Sequence, residues 1–191
     1  MRDESGRESQ SGSYTSDMFS VAYQTNGWST PTALSYLLNS SKNEVLQDFS
    51  QDGTVLYYFQ GLNLFSGDML VDTFRLRPEE RSLFSPVFMG PVRSWEGDKD
   101  LHFFQDTILL FSSQRPGGYG GYDLYLSIYS RGAWSEPQNL GPRINTPYDE
   151  RSPFLSVDGR TLYFSANHPM RSLGGFDVLR VFYDDASESW L

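Results

Sequence analysis

Few side chains in this chain are capable of chemistry, and the most suggestive ones recur at a fixed spacing. Asp149 and Glu150 form an acidic pair that offers a candidate for a glycosidase carboxylate. Glu44, however, occupies the position of Glu150 in an earlier copy of the surrounding sequence. A carboxylate that recurs in a repeat is usually structural, whereas a catalytic carboxylate is usually unique. We therefore predict no catalytic residue and no enzymatic activity.

Two other motifs resemble known sites but depart from them. The glycine pairs Gly117-Gly118 and Gly120-Gly121 resemble a phosphate-binding loop, yet neither the helix nor the lysine that such a loop needs follows them. We interpret them as a flexible connection that requires positive φ angles. The segment 156–161 approximates the Asp-box of sialidase-like propellers, but it lacks one residue between aspartate and glycine. The arginine triad of those enzymes cannot be identified.

Metal and cofactor chemistry find no support in the composition. The chain contains no cysteine, which excludes disulfides, thiolate zinc sites and a cysteine nucleophile. Its two histidines, His102 and His168, are far apart in sequence. We therefore predict neither a metal site nor a cofactor.

The elements that position these residues belong to an internal repeat. Seven landmarks of the segment 134–167 occur 106 positions earlier as well (134 − 28 = 106): Trp28 and Trp134, Pro31 and Pro137, Leu34 and Leu140, Asn39 and Asn145, Glu44 and Glu150, Asp52-Gly53 and Asp158-Gly159, Tyr57 and Tyr163. A degraded copy lies midway, where Leu109-Leu110-Phe111 precedes Leu162-Tyr163-Phe164 by 53 residues (162 − 109 = 53). A period near 50 residues is typical of a propeller or another stacked array.

Within each copy, short strands alternate with turn signals. Asp158-Gly159 is a hairpin dipeptide that supplies positive φ angles, so antiparallel strands should flank it. We predict strand A at about 152–156, strand B at 161–166 and strand C at 176–183, with strand D beginning at the tryptophan segment. The B strands should bury the repeating positions Leu56, Tyr58, Leu110, Leu162 and Phe164.

Four antiparallel strands make one blade of a β-propeller. The sequence therefore predicts an all-β fold, a β-propeller repeat domain over residues 14–191 with about three four-stranded blades plus two leading strands. The blades are placed at about 45–88, 100–140 and 152–191, and residues 17–34 end a preceding blade. The best helix candidate, 31–38, coincides with Gly141-Pro142 of the other copy and is interpreted as loop or strand.

The overall composition limits the classes of protein and partner. The 191 residues are 38% hydrophobic and 20% charged, which fits a soluble globular chain. A formal charge of −9 argues against nucleic acid as a partner, since binding phosphate backbones needs a basic face. No apolar run is long enough to cross a bilayer. Residues 1–13 carry no aromatic or β-branched residue and are expected to form a disordered lead.

Three segments, 111–127, 132–167 and 173–181, resemble the TolB-like, WD-repeat-like β-propeller repeats of outer-membrane-associated proteins of Bacteroidota and related bacteria. The resemblance is strongest over 101–183, weaker over 14–60 and weakest over 61–100. Such repeats often accompany OmpA-like domains, including in a component of the type IX secretion machinery. The resemblance implies a periplasmic or outer-membrane-associated binding scaffold whose partners are proteins, neighbouring blades, or peptidoglycan-associated or secretion machinery.

The notable residues divide into structural and binding candidates. Asp123 and Asp177 should bond backbone amides at the start of strand C, Gly159 should form the turn, and Trp28, Trp134 and Trp190 should pack between blades rather than serve as carbohydrate platforms. Loops on a rigid scaffold tend to carry function, especially where aromatic and polar side chains combine. The predicted binding surface comprises Arg115, Tyr119, Tyr122, Asn145, Tyr148, Asn167 and His168.

Two function classes follow, a non-enzymatic interaction module and a glycan-binding or glycan-hydrolysing propeller. The first is favoured because repeated residues explain almost every motif. We also expect that three blades plus two strands do not close a ring, since propellers have four to eight blades. The chain should then be part of a longer propeller, or complete the ring with another copy or subunit.

Overall fold

The computed structural model describes residues 16–34, 38–63, 66–73, 86–93 and 96–191. Within these ranges the chain forms antiparallel β-strands and no α-helix, which confirms the predicted all-β class. The predicted disordered lead, residues 1–13, lies outside the described residues. None of the described segments forms a helix that is long and apolar enough to cross a membrane.

The chain begins with two small strand pairs. Their strands are β1 (Phe19–Ser20), β2 (Tyr23–Gln24), β3 (Gly27–Trp28) and β4 (Thr32–Ala33). Strand β1 pairs with β4 and β2 pairs with β3. We call these four strands the leading strands. Strand β4 lies inside the segment that we interpreted as loop or strand, although residues 35–37 of that segment are not described.

Sheet I and sheet II follow. Sheet I consists of β5 (Asn43–Phe49), β6 (Val55–Asn63) and β7 (Ser66–Thr73) in that order. Sheet II consists of β8 (Lys99–Phe104), β9 (Ile108–Ser113), β10 (Asp123–Ser130), β11 (Ala133–Trp134) and β12 (Gln138–Asn139). Both β11 and β12 pair with β10.

Sheet III consists of β13 (Glu150–Leu155), β14 (Thr161–Ala166), β15 (Asp177–Asp184) and β16 (Ser189–Trp190) in that order. Its strands lie within two residues of the predicted strands A, B and C. The turn at Asp158-Gly159 joins β13 to β14, and Gly159 has the positive φ of 68° that the hairpin requires. Gly53 has the same φ in the equivalent turn of sheet I.

The 106-residue repeat is preserved in strand register. Phe19 pairs with Ala33 as Tyr125 pairs with Asn139, and Tyr23 pairs with Trp28 as Tyr129 pairs with Trp134. Because each partner is displaced by the same 106 positions, the leading strands repeat the β10–β12 portion of sheet II.

The leading strands and sheets I, II and III form successive layers, and three apolar clusters lie between them. The first contains Met18 and Leu38 with residues of sheet I, the second joins sheets I and II, and the third joins sheets II and III. The B-strand positions predicted to be buried, Leu56, Tyr58, Leu110, Leu162 and Phe164, are all at most 2% exposed. Adjacent side chains of a strand point to opposite faces of the sheet, so successive residues of a central strand enter different clusters. Leu110 lies in the third cluster, whereas Leu109 and Phe111 lie in the second.

Candidate functional site

Three connections converge at one end of sheets II and III, namely 114–122, 140–149 and 167–176. The Asp149 carboxylate accepts hydrogen bonds from the Tyr122 amide at 2.8 Å and from Asn167 Nδ2 at 3.0 Å. In return, the Asp149 amide donates to Asn167 Oδ1 at 2.9 Å. Asp149 therefore links all three connections and holds them in one arrangement.

Two of the glycines in the first connection are required by close approach. A Cβ at Gly120 would lie 2.3 Å from the Thr146 and Tyr148 carbonyl oxygens, and one at Gly121 would lie 2.1 Å from Asp149 Oδ1. Gly117 has a φ of 92°, as predicted for a turn, but Gly120 and Gly121 do not adopt the left-handed region. These glycines fix the contact between two loops rather than provide flexibility.

Aromatic side chains project from this end. Tyr119 is 48% exposed and Tyr148 is 41% exposed. The Tyr148 and His168 rings meet edge to face with centroids 5.0 Å apart, and His168 Nδ1 accepts a hydrogen bond from the Met170 amide at 3.1 Å. We call Tyr119, Tyr122, Tyr148, Asn167 and His168 the loop surface. It combines exposed rings with loops whose backbones are fixed.

Cationic groups flank the half-buried ring of Tyr122. Lys99 Nζ lies 3.6 Å from the ring centroid, and the Arg151 guanidinium lies 5.4 Å from it. Sequence reasoning missed both residues. They are 52 positions apart (151 − 99 = 52), and each directly follows an acidic residue, Asp98 or Glu150, where the first strand of its sheet begins. This repeated acidic-basic pair is the signal that could have identified them.

Arg115 does not belong to the exposed part of the predicted surface. Its side chain is 13% exposed, and its Nη2 lies 2.6 Å from Asp98 Oδ2 and 3.5 Å from Glu96 Oε2. Burial raises the pKa of the Asp98 carboxyl, and the Arg115 charge acts in the opposite direction. The role of Arg115 is to compensate a carboxylate inside the protein.

The prediction that Asn145 contributes to a surface is wrong, because its side chain is 1% exposed. Its Oδ1 accepts a hydrogen bond from the Leu124 amide at 2.8 Å, and its Nδ2 donates to the Leu124 carbonyl at 2.9 Å. Asn39 makes the same two contacts with Met18, at 2.8 and 2.9 Å. This asparagine therefore holds the start of a strand in each copy of the repeat.

The repeated glutamates are internal as well. Glu150 accepts hydrogen bonds from the Thr146 amide and hydroxyl at 2.9 and 2.5 Å, and Glu44 accepts the equivalent pair from Ser40 at 3.2 and 2.5 Å. Burial raises the pKa of both carboxyls, and these hydrogen bonds act in the opposite direction. Both carboxylates close a turn, which is the structural role that their recurrence predicts.

The aspartates at the start of strand C bind loop amides. Asp123 accepts from the amides of Tyr119 at 2.5 Å and Gly120 at 3.2 Å, and Asp177 accepts from the Leu173 amide. These contacts are the ones that the sequence predicts. Asp123 also accepts from Asn139 Nδ2 at 2.8 Å, so it ties the loop to β12.

The three repeated tryptophans differ in their surroundings. Trp134 packs against Phe88 and Phe103 with centroids 6.0 Å apart in both pairs, and Trp190 packs against the cluster between sheets II and III. Trp28 contacts Tyr23, but it is 69% exposed. None of the described residues forms a layer on the Trp28 side of the leading strands, so the predicted inter-blade packing is not observed there for Trp28.

The Asp-box-like segment is a turn support. Asp158 accepts hydrogen bonds from the Ser156 hydroxyl and from the amides of Arg160 and Thr161. These bonds, foremost that from Ser156, lower the pKa of Asp158 to about 2. Ser50, Asp52 and Thr54 form a similar set in sheet I. The hairpin turn between β13 and β14 therefore explains the residues of this segment.

A cleft of about 490 Å³ lies along the edge strands β5, β8 and β13. His102 Nδ1 lies 3.3 Å from Asp48 Oδ2, and its Nε2 lies 3.2 Å from the Leu155 carbonyl oxygen. The same Asp48 oxygen accepts from the Phe103 amide at 2.7 Å. Because both imidazole nitrogens face protein oxygens, the pair joins three strands and is not arranged as a general base.

Comparison with protein-family models finds no match to this sequence. A search of curated proteins finds no significant match either.

Proposed function

We propose that this chain is a non-enzymatic protein-interaction scaffold of the bacterial cell envelope, built of β-propeller blades. The antiparallel sheets, their stacking in chain order and the 106-residue register support the blade arrangement. The sequence resemblance to envelope repeats supports the periplasmic or outer-membrane-associated location. It also favours peptidoglycan-associated or secretion machinery as the class of partner.

The observation that carries the binding function is the loop surface. Tyr119 and Tyr148 are exposed, while the loops beneath them are fixed by Asp123 and Asp149. Exposed tyrosines on an ordered backbone lose little conformational entropy on binding, and tyrosine is enriched among residues that dominate interface energetics.

The internal hydrogen bonds favour binding over catalysis. Glu150 is buried in a turn, and Asp158 bonds its own hairpin. His102 is committed to Asp48 and a carbonyl oxygen. Each of these three side chains thus has a structural partner within its own sheet or a neighbouring one.

The binding function can be tested with a double variant, Tyr119→Ala/His168→Ala. The immobilised chain is exposed to solubilised envelope proteins of a Bacteroidota species, the retained protein is purified, and its affinity is measured by calorimetry. Truncation of interface hot spots costs about 2 kcal/mol each, so each substitution should raise Kd by roughly 30-fold. Val157→Ala, at an exposed position on the turn between β13 and β14, is the matched control. An unchanged Kd in the double variant would remove the loop surface from consideration.

The exposed tyrosine rings also suit the alternative, a glycan-binding or glycan-hydrolysing propeller. A screen with labelled glycans and chromogenic glycosides separates the two classes. Specific glycan retention that the double variant loses would favour the alternative, and turnover of a glycoside would overturn the non-enzymatic proposal.

A further inference from the structure

Each interface between layers joins two different kinds of face. We call the side of a layer that contacts the preceding layer its upstream face, and the opposite side its downstream face. In sheet II, Leu109, Phe111 and Tyr125 point upstream into the cluster shared with sheet I. Leu110 and Leu124 point downstream into the cluster shared with sheet III. Every internal interface is therefore a downstream face covered by an upstream face.

The upstream face of the leading strands is uncovered among the described residues. It presents Phe19, Val21, Tyr23 and Trp28, which are between 49% and 73% exposed. The residues 106 positions later than the first two, Tyr125 and Ser127, are at most 4% exposed. The repeat thus gives the leading strands a packing face whose counterpart in sheet II is buried at these two positions, whereas Tyr129, the counterpart of Tyr23, is 41% exposed.

The downstream face of sheet III is uncovered in the same way. Val178 is 73% exposed, although Leu124, which occupies the equivalent position 54 residues earlier (178 − 124 = 54), is fully buried. Arg180 and Phe182 continue this face along β15, where the guanidinium lies 5.2 Å from the Phe182 ring centroid. Tyr163 on β14 pairs with Arg180 and completes it.

We propose that two copies of this chain bind head to tail, the downstream face of sheet III in one copy covering the upstream face of the leading strands in the other. The contact continues the series of interfaces within the chain. Leu126, the equivalent of Arg180, lies in the same cluster as Trp190. In the intermolecular contact, Trp28 takes the place of Trp190 and lies beside Arg180, a pairing that a cation and an indole ring favour.

The exposed area fits a reversible contact between copies. The rings of Phe19, Tyr23 and Trp28 expose on the order of 400 Å² together, which is within the range of the largest, often functional, apolar patch of a monomer. A stable interface buries about 800 Å² on each partner. Flanking residues of both faces add to the ring area, and a contact at the small end of this range favours reversible association over a permanent complex. Because the contact is heterologous, it continues into rings or chains.

Sedimentation velocity from about 1 to 200 μM tests this proposal with Trp28→Glu and Val178→Asp. Both side chains are exposed, so the variants should melt with the wild type; Trp28→Ala and Val178→Ser replace them if they do not. The wild type should form dimers and larger species, and each variant should be monomeric, with Kd raised at least 100-fold. Val157→Asp, which adds the same charge on a remote turn, should behave as the wild type.

Mixing the two variants distinguishes head-to-tail binding from other modes. Trp28→Glu keeps an intact downstream face and Val178→Asp keeps an intact upstream face, so the mixture should form a one-to-one dimer and nothing larger. A symmetric contact through one face would instead leave one variant able to dimerise alone. A monomeric wild type at 200 μM, or a mixture that stays monomeric, overturns the proposal. His168→Ala should not alter self-association, so failure of this proposal and failure of the loop surface are distinguishable.

Discussion

Replacement of Asn145 by alanine tests whether the repeated asparagine holds the fold. The substitution removes the acceptor of the buried Leu124 amide and the two bonds that Nδ2 donates to the Leu124 carbonyl and to Asn139 Oδ1. The two acceptors keep other donors, since the Leu140 amide bonds the Leu124 carbonyl and the Gly141 amide bonds Asn139 Oδ1. Only the Leu124 amide is left without a protein partner.

The expected loss of stability follows from this difference between the orphaned amide and the two acceptors that keep a donor. An orphaned buried amide costs about 1–3 kcal/mol, and the lost donor bonds add roughly 0.5–1.5 kcal/mol. We expect Asn145→Ala to lower the free energy of unfolding by about 2–4 kcal/mol. Asn39→Ala should have a similar effect, because Asn39 binds Met18 with the same geometry. Asn145→Asp keeps the acceptor but loses the donor when ionised, so its cost should increase as pH rises through the carboxyl pKa.

Urea unfolding followed by tryptophan fluorescence measures these changes. His168→Ala, a substitution on the loop surface, is the control and should lie within about 0.5 kcal/mol of wild type. If Asn145→Ala and the wild type unfold at the same urea concentration, the hydrogen bonds of Asn145 do not stabilise the fold. The structural role assigned to Asn145 would then be refuted.

Three further substitutions have defined outcomes in the same urea assay. Burial raises the pKa of Glu150, so its contribution to stability is greatest below the ordinary value of 4.5 and is lost as pH rises through the raised pKa; Glu150→Gln should therefore gain stability relative to wild type between pH 4 and pH 8, and a constant difference would contradict this. Gly159→Ala should cost about 1–2 kcal/mol, because the φ of 68° disfavours a side chain and its Cβ would lie 3.3 Å from the Phe104 ring; an unchanged urea midpoint would show that this φ is not needed. Arg115→Ala should cost about 3–5 kcal/mol by leaving the Asp98 carboxylate buried without its ion pair; a smaller loss in Arg115→Ala/Asp98→Asn would identify the uncompensated charge as the cause.

The strands of sheet III were predictable because their signals are local. Asp158-Gly159 specifies a hairpin, and alternation on either side of it assigns Leu162 and Phe164 to the buried face. The role of Asn145 was not recognised, although recurrence at Asn39 carried the same information that made Glu150 structural. The polar side chain of Asn145 suggested a surface position. Its burial depends on its hydrogen bond with Leu124, on a strand 21 positions earlier (145 − 124 = 21).

Contacts between sheets left little trace in the sequence. Asp48 and His102 are 54 positions apart (102 − 48 = 54), and only the adjacency of the edge strands β5 and β8 brings them together. The predicted packing of Trp28 between blades is not observed among the described residues for a related reason. Repetition identifies the residue that a neighbouring layer would cover, but it does not supply that layer.

Acidic side chains have structural roles near the edge strands β5, β8 and β13. An edge strand exposes unpaired amides that can recruit other strands, and proteins protect such edges with bulges or charge. Here β5, β8 and β13 all contain register irregularities, and acidic side chains link them. The Asp48 carboxylate binds the Phe103 amide, Asp106 binds the Gln51 amide at 2.9 Å, and Asp100 pairs with Arg151 at 3.0 Å. All three carboxylates therefore join neighbouring sheets, and Asp48 also occupies an amide of the edge strand β8 that could otherwise recruit another strand.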